Sequence, residues 1–159
     1  MNIKKILILG LVLVAALSTM TALSATNNTS TPTAQDGTIT LENLNFKIPS
    51  GFNQVERDND VSTPSDSEDI SGCVVDRKTS ADFRNANGEK LDIKVGVKNN
   101  GPIDTINLGT GKKTINGKEG YFWTEADDGR TEYKFQYIND GKVVKIETNN
   151  EALLNQVVA

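Results

Sequence analysis

An acidic stretch at residues 58–69 has the spacing of oxygen ligands that binds calcium in loop sites. Counted from its first residue, oxygen-bearing side chains occupy the first, third, fifth, ninth and twelfth places, which are Asp58, Asp60, Ser62, Asp66 and Asp69. The stretch also departs from a calcium loop, because Thr63 stands where a glycine permits the sharp turn and Pro64 stiffens the next position. Two hypotheses stay open, a weak Ca²⁺ site unlike an EF-hand and a solvated acidic loop.

Aromatic residues are concentrated near the end of the chain and suggest a second kind of site. They are Tyr121, Phe122, Trp123, Tyr133, Phe135 and Tyr137. Paired strands dense in aromatic side chains can form a platform for sugars, peptides or flat apolar ligands. Tyr121, Trp123 and Tyr133 are the candidate ligand-binding residues. The alternative is that the aromatic side of this sheet is core and lies under a helix.

Carboxylate pairs are the remaining candidates for chemistry. Glu119 with Glu125, and Glu132 with Glu147, are placed to meet across strands, and glycosidases use two carboxyl groups facing a cleft. Lysines interleave with these residues, as they do on an ordinary charged sheet face. The chain contains no histidine, which removes the commonest general base and the usual activator of a serine or cysteine nucleophile. The sequence therefore predicts a protein that is not an enzyme, and no catalytic residue is assigned.

The elements that must position these residues are mainly strands, since apolar side chains recur at every second position. The clearest alternation is Leu91, Ile93, Val95 and Val97. Turn dipeptides that tolerate positive φ recur between the apolar runs, at Asn87-Gly88, Asn100-Gly101, Asn116-Gly117, Asp128-Gly129 and Asp140-Gly141. We expect consecutive strands to pair antiparallel.

The turn lengths decide which aromatic side chains share a face. A two-residue turn at Asp140-Gly141 sets Phe135 opposite Ile146 and joins two apolar faces, so we expect that form. For the preceding turn, at Asp128-Gly129, the sequence allows two lengths. A three-residue loop ending at Gly129 aligns Tyr121 and Trp123 with Phe135 and Tyr133, whereas a two-residue turn sets Phe122 opposite Phe135 and sends Tyr121 and Trp123 to the other face.

The chain ends in a pattern typical of a short helix. Asn150 is a suitable N-cap, Glu151 lies in the first turn, and apolar residues follow at helical spacing, which are Leu153, Leu154, Val157 and Val158. The predicted fold class is α+β, a mostly antiparallel β-sheet meander with a short C-terminal helix packed on one face.

Residues 1–25 have the order of a secretory signal peptide. Lys4 and Lys5 precede an unbroken apolar run, and small and polar residues follow it. Cleavage is expected after Ser24 or Ala25, which predicts a secreted or cell-surface protein. The alternative is an uncleaved leader, which is about as long as a membrane-spanning helix and would hold the domain outside the cell.

The remaining chain divides into a tether and one domain. Residues 26–37 are rich in Ser, Thr and Asn with almost no apolar side chain, which predicts a flexible tether. Residues 38–159 are enough for a single globular α+β domain with a modest core. The single cysteine, Cys73, cannot form an internal disulfide and is expected to be a small buried side chain.

The net charge of the chain limits the classes of partner that it is expected to bind. The formal net charge is −4, and cleavage of the leader would remove two lysines. An acidic protein repels phosphate backbones and anionic lipid heads, so we expect no nucleic-acid partner and membrane contact only through an uncleaved leader. An extracellular protein, a glycan or a small ligand is the expected partner. No cofactor is expected apart from the Ca²⁺ considered above.

Three segments resemble parts of small exported domains with a PsbP/Mog1-like fold. They are an opening hairpin at 38–49 that ends in FKIPSGF, a later INGKEGY at 115–121 and DGKVVKI at 140–146. The resemblance covers roughly residues 38–158 and implies a non-enzymatic accessory or binding role, with no catalytic residues to carry over. Our expectation is an exported, non-catalytic interaction domain. The alternatives are a calcium-dependent extracellular module using residues 58–69 and a carboxylate-based hydrolase.

Overall fold

A computed structural model of the protein describes residues 37–55, 68–109, 111–127 and 129–158. The described strands, in chain order, are β1 (Thr38–Leu41), β2 (Leu44–Lys47), β3 (Phe52–Gln54), β4 (Glu68–Asp69), β5 (Val74–Val75), β6 (Arg77–Asn85), β7 (Lys90–Val97), β8 (Lys112–Ile115), β9 (Lys118–Asp127), β10 (Arg130–Asn139) and β11 (Lys142–Thr148). A 3₁₀ turn (Glu151–Leu153) then leads into helix α1 (Leu154–Val157). The predicted α+β class with a mostly antiparallel sheet is confirmed. The predicted signal peptide at 1–25 and nearly all of the predicted tether lie outside the described residues.

The main sheet has seven strands in the order β3-β6-β7-β11-β10-β9-β8, and all neighbours are antiparallel. The prediction of a meander is wrong at one connection, because β7 pairs with β11 instead of β8. Between Val97 and Lys112 the chain crosses from the centre of the sheet to its edge. The strands β7 and β11, near the centre of the sheet, carry most of the fully buried aliphatic residues. Strand β8 begins with two lysines, which are common on edge strands.

The main core lies on one face of this sheet, which we call the core face. Its largest buried side chains are Phe83, Leu91, Ile93, Phe135, Tyr137 and Ile146, together with Ile39, Leu41 and Phe46 of the β1–β2 hairpin. The predicted alternation over β7 is confirmed, since Leu91, Ile93 and Val95 are fully buried on this face. Leu154, Val157 and Val158 at the end of the chain belong to the same core cluster.

Both turns that determine the aromatic register are two-residue turns. At Asp140-Gly141, Asn139 pairs with Lys142 and Phe135 lies opposite Ile146, as predicted. Both turn residues have positive φ, 50° at Asp140 and 68° at Gly141, which matches the twist of an antiparallel hairpin.

Between β9 and β10, Asp127 pairs with Arg130 and Phe122 lies opposite Phe135. The structure therefore selects the two-residue alternative for the Asp128-Gly129 turn.

A second, smaller core covers part of the opposite face of the sheet. It consists of Ile70, Cys73, Val75, Ile103 and Val143, with Ile106 and Ile138 packed at its margin. Cys73 is a small buried side chain here, as the sequence predicts. Gly96 lies beneath this cluster, and a Cβ at that position would come within 2.6 Å of Val75 and 2.7 Å of Ile70. The missing side chain at Gly96 therefore lets the β4–β5 segment sit directly on the sheet.

The C-terminal turn is capped at both ends by asparagines. The side chain of Asn150 accepts a hydrogen bond from the backbone N–H of Ala152 (3.1 Å), which confirms the predicted N-cap. Asn116, in the β8–β9 turn, donates from Nδ2 to the carbonyl oxygens of Asn155 (2.6 Å) and Val158 (3.0 Å). Within the described residues, no helix has the length and apolar character needed to cross a membrane.

Candidate functional site

The face opposite the main core carries a dense set of charged side chains, which we call the charged face. The alternation of each strand places on it Asp82 and Arg84 of β6, Lys90, Asp92 and Lys94 of β7, Lys145 and Glu147 of β11, Glu132, Lys134 and Gln136 of β10, and Tyr121, Trp123 and Glu125 of β9. The second core covers one end of this face. Gln136 marks the boundary, because its Nε2 donates to the carbonyl oxygen of Ile70 (3.0 Å).

The three aromatic residues predicted as a binding set are divided between the two faces. Tyr121 and Trp123 are two residues apart on β9 and lie side by side on the charged face. Tyr133 lies on the core face, where its ring stacks on that of Phe122 with centroids 6.5 Å apart. The structure therefore brings Tyr121 and Trp123 together and excludes Tyr133 from their surface. The length of the Asp128-Gly129 turn decides this division.

Trp123 is held in a defined orientation by charged neighbours. Its Nε1 donates a hydrogen bond to Oε1 of Glu125 (2.9 Å). The Nζ of Lys145 lies 5.5 Å from the centroid of the indole ring, within the range of a cation–π contact. Trp123 is only partly buried, so an aromatic ring remains accessible among polar groups. Such a ring can contact an apolar ligand surface while the groups around it donate and accept hydrogen bonds.

Lys134 is the centre of the charge network and is almost buried. Its side chain is 10 % exposed, and its Nζ lies 2.5 Å from Oε2 of Glu125 and 3.6 Å from carboxylate oxygens of both Glu132 and Glu147. Burial alone would lower the pKa of this amine, but the surrounding carboxylates outweigh it and raise the pKa. Lys134 is therefore a fixed cation that holds three glutamates of three strands together.

Glu147 is the most strongly perturbed carboxylate of the charged face. Lys94 approaches its Oε2 at 2.8 Å, and Lys145 and Lys134 pair with Oε1. Burial would raise the pKa of this carboxyl, but hydrogen bonds from Lys145 and Lys94 prevail and lower it to about 2. Glu147 is therefore held ionised, whereas a catalytic acid of a glycosidase needs a raised pKa.

The predicted carboxylate pairs are only partly brought together. Glu132 and Glu147 do converge, but on the amine of Lys134, which lies between them. Glu119 and Glu125 are six residues apart on one strand, roughly 20 Å, and Glu119 is exposed and paired with Lys112 at 3.3 Å. Each of these four carboxylates has a lysine partner.

Asp92 is an ionisable residue that the sequence did not single out. Burial raises the pKa of its carboxyl, and Asp82, which lies directly opposite on β6, raises it further. A hydrogen bond that Arg84 donates to Asp92 (2.7 Å) lowers this pKa, but its effect is smaller than that of burial. Lys94 was missed in the same way. Its contact with Glu147 depends on β7 pairing with β11, which connects residues about fifty positions apart and has no local sequence signal.

The predicted calcium ligands Asp58, Asp60, Ser62 and Asp66 lie outside the described residues. Asp69 is described through its backbone, in β4, where it pairs with Val74. Over the ranges that the structure describes, no group of three Cys, Asp or Glu side chains is arranged to hold a metal ion. The prediction for residues 58–69 therefore stays a prediction.

Comparison with known proteins assigns no family to this arrangement. No protein-family model, no curated protein and no solved structure matches the chain. The charged face and the strand edges beside it are therefore the features from which a function can be inferred.

Proposed function

We propose that the protein is an exported, non-catalytic interaction domain that acts at or outside the cell surface. In this proposal the leader at 1–25 directs export, residues 38–159 form a single domain, and the C-terminal helix covers the core face together with the β1–β2 hairpin. The part of the opposite face that the second core does not cover is then left for contact with a partner. The resemblance to PsbP/Mog1-like accessory domains implies the same kind of role.

The observation that carries the proposal is the Tyr121–Trp123 pair on the charged face. Both rings are partly exposed and stand on adjacent outward positions of β9. Trp123 is oriented by Glu125 and Lys145 before any ligand arrives, so little ordering entropy is lost on binding. An aromatic surface with a polar border suits a glycan or an extended peptide.

The state of the carboxylates supports binding over hydrolysis. A glycosidase needs one carboxyl that is protonated near neutral pH and a second that is free to attack or to activate water. Glu147 has its pKa lowered to about 2, and Glu125 also has a lowered pKa because Lys134 and Trp123 donate to it. Lysine amines occupy the space between the carboxylates that a substrate would need.

Glycan and peptide arrays test the proposal directly. The mature protein, whose expected first residue is Ala25 or Thr26 by intact mass, should bind a subset of spots saturably. Trp123→Ala should remove that binding, whereas Val74→Ala should not, because Val74 is an exposed apolar residue (57 %) on β5 and is not among the side chains around Trp123. Release of reducing ends from a bound glycan would replace the interaction role with hydrolysis. Binding that survives Trp123→Ala would contradict the assigned surface.

A further inference from the structure

Strand β9 extends well beyond its outer neighbour β8. The pairing of the two strands ends where Lys112 lies opposite Tyr121, and one further hydrogen bond runs from the N–H of Phe122 to the carbonyl of Gly111 (3.0 Å). From Trp123 to Asp127, β9 pairs with β10 on its inner side. On its outer side, no strand of the described chain is paired with this segment, which we call the β9 edge.

The backbone groups of the β9 edge point outward in a regular pattern. The N–H of Phe122 is directed to the β8 side, and in an antiparallel strand every second residue shares that direction. The N–H and C=O groups of Thr124 and Ala126 therefore face away from β10, and both residues are exposed. The segment contains no proline and no lysine, which commonly protect an edge from strand addition.

An added strand would lie between aromatic side chains on both faces. Trp123 borders the β9 edge on the charged face. Phe122, partly buried and stacked on Tyr133 of the inner strand β10, lies at the start of the edge on the core face. An extended peptide at this position would therefore gain two backbone-bonded positions and apolar contacts for its side chains, which is the usual combination in recognition by strand addition.

Charge decides between a second copy of this chain and a different partner. If two β9 edges paired with each other, Thr124 opposite the Ala126 of a second copy, the two Glu125 side chains would face each other in a close non-hydrogen-bonded pair. Like charges directly opposite destabilise such a pair. The ionisable residues of the edge, Glu125 and Asp127, are both acidic, and the whole chain has a net charge of −4. A basic strand is the complementary partner.

We propose that the β9 edge binds an extended, basic peptide by antiparallel strand addition, with a lysine or arginine opposite Glu125. The Glu125 side chain is 54 % exposed although it accepts from Lys134 and Trp123, so a further donor can reach its carboxylate. Residues of the peptide on either side of that cation exchange backbone hydrogen bonds with Thr124 and Ala126. This inference rests on the proposed interaction function and names its partner class.

The fluorescence of Trp123, the only tryptophan in the chain, measures the binding without a label. The probe is a blocked seven-residue peptide of alternating valine and threonine with lysine at its centre. We expect a saturable change in emission. Replacing the central lysine by glutamate should weaken binding by about tenfold, because a pair of opposite charges becomes a pair of like charges. N-methylation of the two residues that flank the centre should abolish it, and N-methylation of the central residue, whose N–H faces away from β9, should not.

Equal binding by the differently methylated peptides would overturn strand addition, and so would a concentration-dependent dimer that shows no response to the peptide. On the protein side, Ala126→Pro removes an outward N–H and should prevent peptide binding, whereas Ala126→Ser keeps that N–H and should bind normally.

The array experiment distinguishes the edge proposal from the proposed interaction function. Glycan binding that depends on Trp123 but is unaffected by Ala126→Pro, without any peptide response, would overturn the edge proposal and leave the interaction function standing.

Discussion

Glu42 and Arg77 form a two-point ion pair between elements 35 residues apart. Arg77 donates from Nε to Oε1 of Glu42 (3.1 Å) and from its Nη2 to Oε2 (2.6 Å), and Thr79 adds a hydrogen bond of 2.5 Å to Oε1. Glu42 lies in the turn of the β1–β2 hairpin with φ of 47°. The pair therefore fastens the tip of the hairpin, which covers the core face, to β6.

Glu42→Gln should lower the free energy of unfolding by about 1 kcal/mol near pH 7, because the amide keeps the shape of the side chain but loses the charge-assisted bonds. Burial would raise the pKa of Glu42, but the bonds from Arg77 and Thr79 lower it below 4.5. The contribution is therefore complete above pH 4.5 and is lost as the pH falls through the lower, folded-state pKa. Urea unfolding measures it. Glu119→Gln, the same change at a 70 % exposed carboxylate, should cost less than about 0.5 kcal/mol.

Glu147→Gln should lower the free energy of unfolding by about 3 kcal/mol at neutral pH, because the pKa of Glu147 falls from 4.5 to about 2 on folding. A lowered folded-state pKa means that the stabilisation is present above pH 4.5 and disappears as the pH falls towards 2. The difference between wild type and variant in urea unfolding should therefore shrink over that interval. A difference that stays constant from pH 6 to pH 2.5 would show that packing, and not charge, makes Glu147 important.

Gly120→Ala should destabilise the protein by about 2 kcal/mol, since a Cβ there would come within 2.8 Å of the Phe135 ring and would also press on the carbonyl of Gln136. The ring can turn aside, but the backbone carbonyl belongs to the β9–β10 ladder and cannot. Gly111→Ala is the matched control, because nothing lies within 4 Å of the added Cβ. Equal melting temperatures for the two variants would contradict the close approach of β9 and β10 at Gly120.

Asn116→Gly should cost about 1 kcal/mol and should loosen the end of the chain selectively. Glycine accepts the φ of 48° at this turn position, so the change removes only the hydrogen bonds to the carbonyls of Asn155 and Val158. Amide hydrogen exchange should speed up in residues 154–158 and stay unchanged in the central strands. Uniform acceleration across the sheet would mean that Asn116 supports the β8–β9 turn itself.

Thermal melts in EDTA and in millimolar Ca²⁺ should superimpose, because Thr63 and Pro64 oppose the sharp turn that a calcium loop needs. A site with a dissociation constant of about 10⁻⁴ M would add roughly 1.4 kcal/mol to the free energy of unfolding when the Ca²⁺ concentration is about ten times that constant. A rise seen with Ca²⁺ and not with Mg²⁺, and lost when Asp58→Ala and Asp60→Ala are combined, would make residues 58–69 a metal site.

Features that depend on near neighbours could be predicted from the sequence. The Asp140-Gly141 turn has the residues that positive φ requires, and the apolar residues on either side of it agree with only one register. Asn150 caps the last turn because its side chain meets a backbone N–H two residues away. The alternation of β7 follows from the geometry of a single strand.

The convergence of Glu132 and Glu147 could be predicted, but tertiary structure alone decided where the other site residues meet. The sequence left two lengths for the turn at Asp128-Gly129, and only the packing of Phe122 against Tyr133 and Phe135 on the core face sends Tyr121 and Trp123 outward. Lys94 reaches Glu147 across a pairing of strands 53 residues apart. The β9 edge is open because β8 begins at Lys112, opposite Tyr121, and does not extend alongside the residues of β9 that follow Tyr121. Such relationships depend on which strands lie side by side, and that is determined by the shared burial of distant residues, which no local pattern contains.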